Sequence, residues 1–166
     1  MQILFSSGCT VVPNFKIMIT KYAVKAGFLQ MLDVKIAAID MVLHELFEAA
    51  RNETKSTAGD KHETARAHVQ IAQKQAADQR AILQNNRALL LKIDASIVPV
   101  DVRLGSLVQT KTNYFFISTG VGKIILENAT VYAIALQAPI GLVLQGLKKG
   151  SSYTFNGKAD QILAIF

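Results

Sequence analysis

The chain has 166 residues and a mass of 18.1 kDa, with 51% hydrophobic and 18% charged residues, 18 Lys and Arg against 12 Asp and Glu, and one cysteine. That leaves room for one ordinary domain or two small ones, excludes a large multidomain enzyme and a disordered chain, and with Cys9 alone excludes an internal disulfide or a cysteine-built zinc site. The net charge of +6 falls evenly, with 12 basic and 9 acidic side chains in residues 1–100 and 6 and 3 in residues 101–166, so no basic block marks a polyanion-binding arm.

Residues 1–17 are expected to be a non-native or disordered leader. Ser6-Ser7-Gly8-Cys9 faintly resembles a lipoprotein cleavage site, but no basic residue precedes it and the apolar run is only Ile3-Leu4-Phe5. A signal peptide needs a basic start and roughly 7–15 apolar residues, so export is rejected. Met18, followed at once by a helix-like segment, is the expected translation start, which an intact-mass measurement on native protein checks. No stretch reaches the roughly 20 apolar residues of a membrane span. A cytoplasmic protein without a membrane partner is expected.

Between Gly27 and Pro99 the only glycine or proline is Gly59, whereas seven of the ten glycines lie at or after Gly105. Gly and Pro punctuate regular structure, so residues 18–95 and 102–166 are expected to be different bodies joined by a linker at 96–101. In the first, Leu29, Leu32, Ile36, Ile39, Leu43, Leu46 and Ala50 keep a 3-4 spacing, as do Ala65, Val69, Ala72, Ala76, Gln79, Leu83, Asn86, Leu90 and Ile93. Two antiparallel helices of roughly 30 residues follow, each about 45 Å long, with a tip near 54–63. A compact helix bundle is disfavoured, because the chain supplies no third long helix.

Six segments rich in β-branched and aromatic residues follow: 102–110, 114–119, 123–128, 130–136, 151–156 and 159–166. Asn156-Gly157 marks a hairpin between the last two. The run 139–146 is expected to form a short helix across one face of a small, antiparallel, half-covered sheet. The fold class is α+β.

Chemistry is concentrated at the tip, where Gly59-Asp60-Lys61-His62-Glu63-Thr64-Ala65-Arg66 opens the second helix. Asp60 and Glu63 have the spacing of a capping box, the local reading. The functional alternative is that two carboxylates on the end of a rod hold a divalent metal inside another macromolecule, since Mg²⁺ is often bound through one or two carboxylates plus water and phosphate. His44, His62 and His68 have no metal-ligand spacing and read as hairpin surface or seam residues. Lys148, Lys149 and Lys158 are candidates for contact with RNA phosphates, with a solvated turn as the favoured reading.

Gly59-Asp60-Lys61-His62-Glu63-Thr64-Ala65 resembles the Gly-Asp-x-x-Glu-Asn-Ala tip of the Gre family of bacterial transcript-cleavage factors. Val102-Arg103-Leu104-Gly105-Ser106-Leu107-Val108 is similar to the first strand of that family's C-terminal domain. Ala138-Pro139-Ile140-Gly141-Leu142-Val143-Leu144-Gln145-Gly146 is similar to its Ser-Pro-(Leu/Ile)-Gly-x-x-Leu-x-Gly segment. The resemblance covers roughly residues 25–166. It implies an FKBP-like C-terminal domain that docks on RNA polymerase, with Pro139, Gly141 and Gly146 in the partner-binding segment. It also implies a coiled coil that enters the polymerase's secondary channel, where Asp60 and Glu63 help hold the second catalytic Mg²⁺ for cleavage of backtracked RNA. The resemblance further implies a factor with no cofactor of its own, no small-molecule substrate and no enzymatic activity alone, Mg²⁺ being shared with the polymerase active site.

The tip departs from the family pattern, with Thr64-Ala65-Arg66-Ala67 where Asn-Ala-Glu-Tyr is usual and with Lys61 and His62 between the acids. At roughly 5 Å and an effective dielectric near 20, one added positive charge opposes a unit of cation charge by about 3 kcal/mol. Two further readings therefore stand beside cleavage stimulation. One is a regulator that occupies the channel without stimulating cleavage, and the other is an adaptor whose hairpin is an ordinary interaction rod.

Overall fold

The computed structural model describes residues 19–53 and 60–166. The leader and the loop residues 54–59, Gly59 among them, lie outside the described residues. Helix α1 spans Lys21–Glu53 and α2 spans Asp60–Lys92, 33 residues each, or about 50 Å of rise apiece. Thr20 caps α1, its Oγ1 accepting from the Ala23 N–H at 3.2 Å and its carbonyl from the Val24 N–H at 3.0 Å.

The helices pack against each other along the expected seam. Ile36, Ile39, Leu43, Leu46 and Ala50 on α1, and Val69, Ala72, Ala76, Leu83 and Asn86 on α2, are half-buried. Gln79 breaks the expectation and is exposed, while the adjacent Arg80 is half-buried and paired with Asp40. Seven residues back along α1 and seven forward along α2, Arg87 Nε donates to Asp33 Oδ1 at 2.5 Å. The two pairs repeat at one heptad and so select a single antiparallel register. Farther toward the tip, Gln73 Nε2 donates to the Leu46 carbonyl at 3.1 Å.

Strands β1 (Leu107–Thr110), β2 (Tyr114–Ser118), β3 (Gly122–Leu126), β4 (Ala129–Ala135), β5 (Ser152–Phe155) and β6 (Lys158–Ile165) form one sheet of order β3-β4-β2-β1-β6-β5. Helix α3 covers Pro139–Leu144, where a short helix was expected. The expectation of an antiparallel sheet needs correction: β2 and β4 run parallel, Tyr114 facing Val131 and Ser118 facing Ala135, so the sheet is mixed. Burial explains this. In β4, residues from Val131 to Ile134 enter both cores, which suits an interior strand, whereas β3, with Lys123 and Ile125 exposed, suits an edge. The β3–β4 hairpin therefore turns at Glu127 and Asn128, both at positive φ, and inserts β4 beside β2. Asn156 and Gly157, also at positive φ, make the expected second hairpin.

A second correction concerns coverage, because both faces of the sheet are buried. On one face Val24, Phe28 and Leu32 of α1 and Leu90 and Ile93 of α2 pack on Leu107, Phe116 and Val131. On the other, Leu144 of α3 joins Val102, Val108, Phe115, Ile117 and Ile162. Alternation along β1, β2 and β4 sends neighbouring apolar residues to opposite cores. The segment 102–106, expected to be strand, is instead a turn in which Gly105 takes φ +88° and Ser106 N–H donates to the Arg103 carbonyl at 3.0 Å. Gly105 also lies against the end of α2, where an added Cβ meets Ile93 Cγ2 at 3.1 Å.

Candidate functional site

The base of the rod is bonded as well as packed. Lys25 Nζ donates to the carbonyls of Leu91 at 3.0 Å and Ile93 at 2.6 Å, capping the last turn of α2, where orphan carbonyls concentrate partial negative charge. One turn earlier Lys21, only 5% exposed, donates to the Ile97 carbonyl. Burial pulls the Lys21 ammonium below its ordinary pKa, partly opposed by Asp94. Asp94 is itself held below the carboxylate range by the hydroxyl and N–H of Ser96, at 2.7 and 2.8 Å, with smaller contributions from Lys25 and Lys21. These lysines were not singled out from the sequence. Two lysines one helical turn apart, facing the end of a neighbouring helix, were the available signal.

This seat positions the tip. Helix α2 starts at Asp60 and reaches the buried Leu90 thirty residues later, so the start of α2 stands about 45 Å along the rod from the core. Asp60 and Glu63 are the first and fourth residues of α2, one turn apart on the same helical face. The contacts of their side chains, and hence the capping box, lie outside the described residues. Carboxylates are hard oxygen donors of the class Mg²⁺ prefers. Among the described residues no group of three or more His, Cys, Asp or Glu side chains is placed to hold a metal. Arg66, exposed one turn beyond Glu63, puts a positive charge on the same end of α2. His44 and His68 are exposed on the hairpin, and His62 lies where its side chain is outside the described residues.

Pro139, Gly141 and Gly146 gather around α3, on the sheet face opposite the hairpin, and are not brought near the tip acids. Each has a folding role. Pro139 is in the first turn of α3, where a missing N–H costs nothing. Gly141 is buried so close to β4 that an added Cβ falls against the Ala135 carbonyl and 2.7 Å from the Leu136 carbonyl. Gly146, at φ +75°, turns the chain after the helix and donates to the Val102 carbonyl at 2.8 Å. The apolar surface α3 offers outward comes instead from Leu142 and Val143, both exposed.

Asp160 was likewise missed. Its carboxylate accepts from Thr112 Oγ1 at 2.6 Å, the Gln161 N–H at 2.7 Å and the Lys111 N–H at 3.1 Å, tying β6 to the β1–β2 turn. Burial raises its pKa, but these donors together with Thr110 prevail and hold it at about 2. Lys148, Lys149 and Lys158 are exposed, and Lys148 N–H donates to Ser151 Oγ at 3.1 Å within a tight turn.

Among the described residues no helix is long and apolar enough to cross a membrane. Comparison with protein-family models, with curated proteins and with solved structures returns no match for this chain.

Proposed function

We propose that this chain is a cytoplasmic RNA polymerase accessory factor of Gre type. It inserts its hairpin into the secondary channel and stimulates cleavage of backtracked RNA. The observation that carries the reading is the tip acidic pair, Asp60 and Glu63, at the start of a long helix whose far end is seated on the sheet. A thin rod of about 45 Å suits delivery of carboxylates to a buried active site. The mixed sheet with one short helix on its outer face suits an FKBP-like domain.

In this reading the polymerase supplies the nuclease centre and the factor supplies position. Asp60 and Glu63 bring two negative oxygens to the place where a second Mg²⁺ is needed. Asp60 and Glu63 would hold that ion, which would supply a water of lowered pKa and charge stabilisation for the phosphoryl oxygens. The sheet domain docks outside, and because Gly141 is buried, contact near Pro139 and Gly146 falls to Leu142 and Val143.

The positive charge at the tip favours a second reading, channel occupancy without cleavage. Lys61 lies between the acids in sequence, and the exposed Arg66 follows them. An RNA-cleavage assay on stalled, backtracked polymerase separates the two. The first reading expects 3′-end cleavage that Asp60→Asn and Glu63→Gln abolish. Absence of cleavage with displacement of an active cleavage factor establishes the second. Absence of polymerase binding eliminates both and leaves the hairpin as an ordinary interaction rod.

A further inference from the structure

Between rod and sheet lies a half-open cavity of about 720 Å³, walled by the end of α2, the 94–105 segment and the C-terminal ends of β2 and β4. Its size is within the range of small-molecule sites, roughly 300–1,000 Å³. Leu89, Ile93, Ile97, Pro99, Leu104 and Leu136 make it largely aliphatic. Three of these, Leu89, Ile97 and Leu104, are 44%, 60% and 60% exposed, a concentration of large aliphatic surface at one opening. No aromatic residue lines the cavity, so a flat ring or nucleobase finds no stacking partner, whereas a flexible hydrocarbon chain finds matched walls.

The charges around it are unbalanced. Lys21, Lys92 and Arg103 line the cavity against a single acid, Asp94. Asp94 is occupied by Ser96, and Lys21 by the Ile97 carbonyl. Arg103 pairs with Asp101, outside the lining. Lys92 has no ion-pair or hydrogen-bond partner among the described residues, and the buried Thr119 hydroxyl at the cavity wall also has none. An anionic head group meets these needs. A phosphate dianion suits the place less well, because the helix end here is the carbonyl end of α2, which repels concentrated negative charge.

We propose that this cavity binds a small amphipathic monoanion, an aliphatic chain ending in a carboxylate, with the chain against Leu89, Ile97 and Leu104 and the carboxylate at Lys92. Because α2 and the sheet each supply a wall, the bound molecule bridges the rod and the domain that seats it.

Calorimetric titration of the full chain with dodecanoate below its micellar concentration, and with dodecyltrimethylammonium as the same tail with a cationic head, tests this. The expected result is saturable one-to-one binding of dodecanoate, about tenfold or more tighter than the cation. Lys92→Glu weakens dodecanoate binding by about tenfold or more, since it turns attraction into repulsion at the head group. Leu104→Asp, at an exposed position, also weakens it, and Val98→Glu, exposed and outside the cavity, leaves it unchanged. Circular dichroism confirms that each variant is folded. Absence of saturable binding, equal affinity for the two head groups, or unchanged binding in Lys92→Glu overturns the proposal.

Discussion

Replacing Phe28 with alanine removes the side chain that couples the rod to the sheet. Phe28 is fully buried among Val24, Leu32, Leu90, Leu107 and Phe116, and its ring stacks on that of Phe116 with centroids 6.1 Å apart and planes 15° from parallel. Deleting a buried phenyl ring costs about 3–5 kcal/mol, part lost transfer energy and part unfilled cavity. That is about a fifth or more of the roughly 5–15 kcal/mol available to a small protein. The ring–ring contact contributes a separable part of about 0.5–1 kcal/mol, toward the lower end because the centroid distance is toward the long end for stacked pairs. Urea unfolding of Phe28→Ala reads the first quantity. A double-mutant cycle with Phe28→Leu and Phe116→Leu reads the second. A loss below about 1 kcal/mol in Phe28→Ala refutes the seat, and additivity within about 0.3 kcal/mol refutes the ring contact. If the rod delivers the tip, Phe28→Ala also reduces cleavage stimulation at temperatures where the chain remains folded.

Gly141→Ala is expected to destabilise by about 3 kcal/mol, because the new methyl meets two backbone carbonyls that cannot rotate away, and a gain in helix propensity below about 1 kcal/mol does not offset it. An unfolding midpoint within error of wild type contradicts that packing. Asp160, with a folded pKa of about 2 against the usual 3.8, contributes stability that is present above pH 4 and lost as pH falls toward 2. Discounted for its partial exposure the contribution is about 1 kcal/mol, and Asp160→Asn flattens the stability profile over that window in acid titrations followed by circular dichroism. Asp33→Arg or Arg87→Asp alone is expected to lower stability only slightly, since the pair is exposed, and the double exchange restores it. Failure of the double exchange to restore it contradicts the proposed register.

Much of the local structure was legible in the chain. The 3-4 spacing of Leu29 to Ala50 and of Val69 to Ile93 reports a helical face directly, because its mean of about 3.5 residues nearly matches the roughly 3.6 residues of a helical turn and keeps these side chains on one side. Strand positions followed from β-branched and aromatic runs, and the Asn156-Gly157 turn from backbone conformations that few residues adopt. The acids at the tip were visible as residues, since Asp60 and Glu63 follow the only glycine of the hairpin loop. Gln79 was misplaced because periodicity carries no information on whether a polar seam residue turns outward while its neighbour, here Arg80, pairs with Asp40.

The amino-acid pattern by itself determined the α+β division, the two-helix rod, most of the strand positions and the Asn156-Gly157 hairpin, all of which depend on neighbours within a few residues. Only the tertiary structure decided the parallel pairing of β2 with β4, the burial of both sheet faces, the seating of the rod by Phe28, Lys21 and Lys25, and the cavity at the joint. These depend on residues well separated along the chain, by 17 positions for Tyr114 and Val131 and by 76 for Lys21 and Ile97. Which strand goes inside and which lysine meets which carbonyl is settled by competition among surfaces for burial, a global quantity that no local spacing encodes.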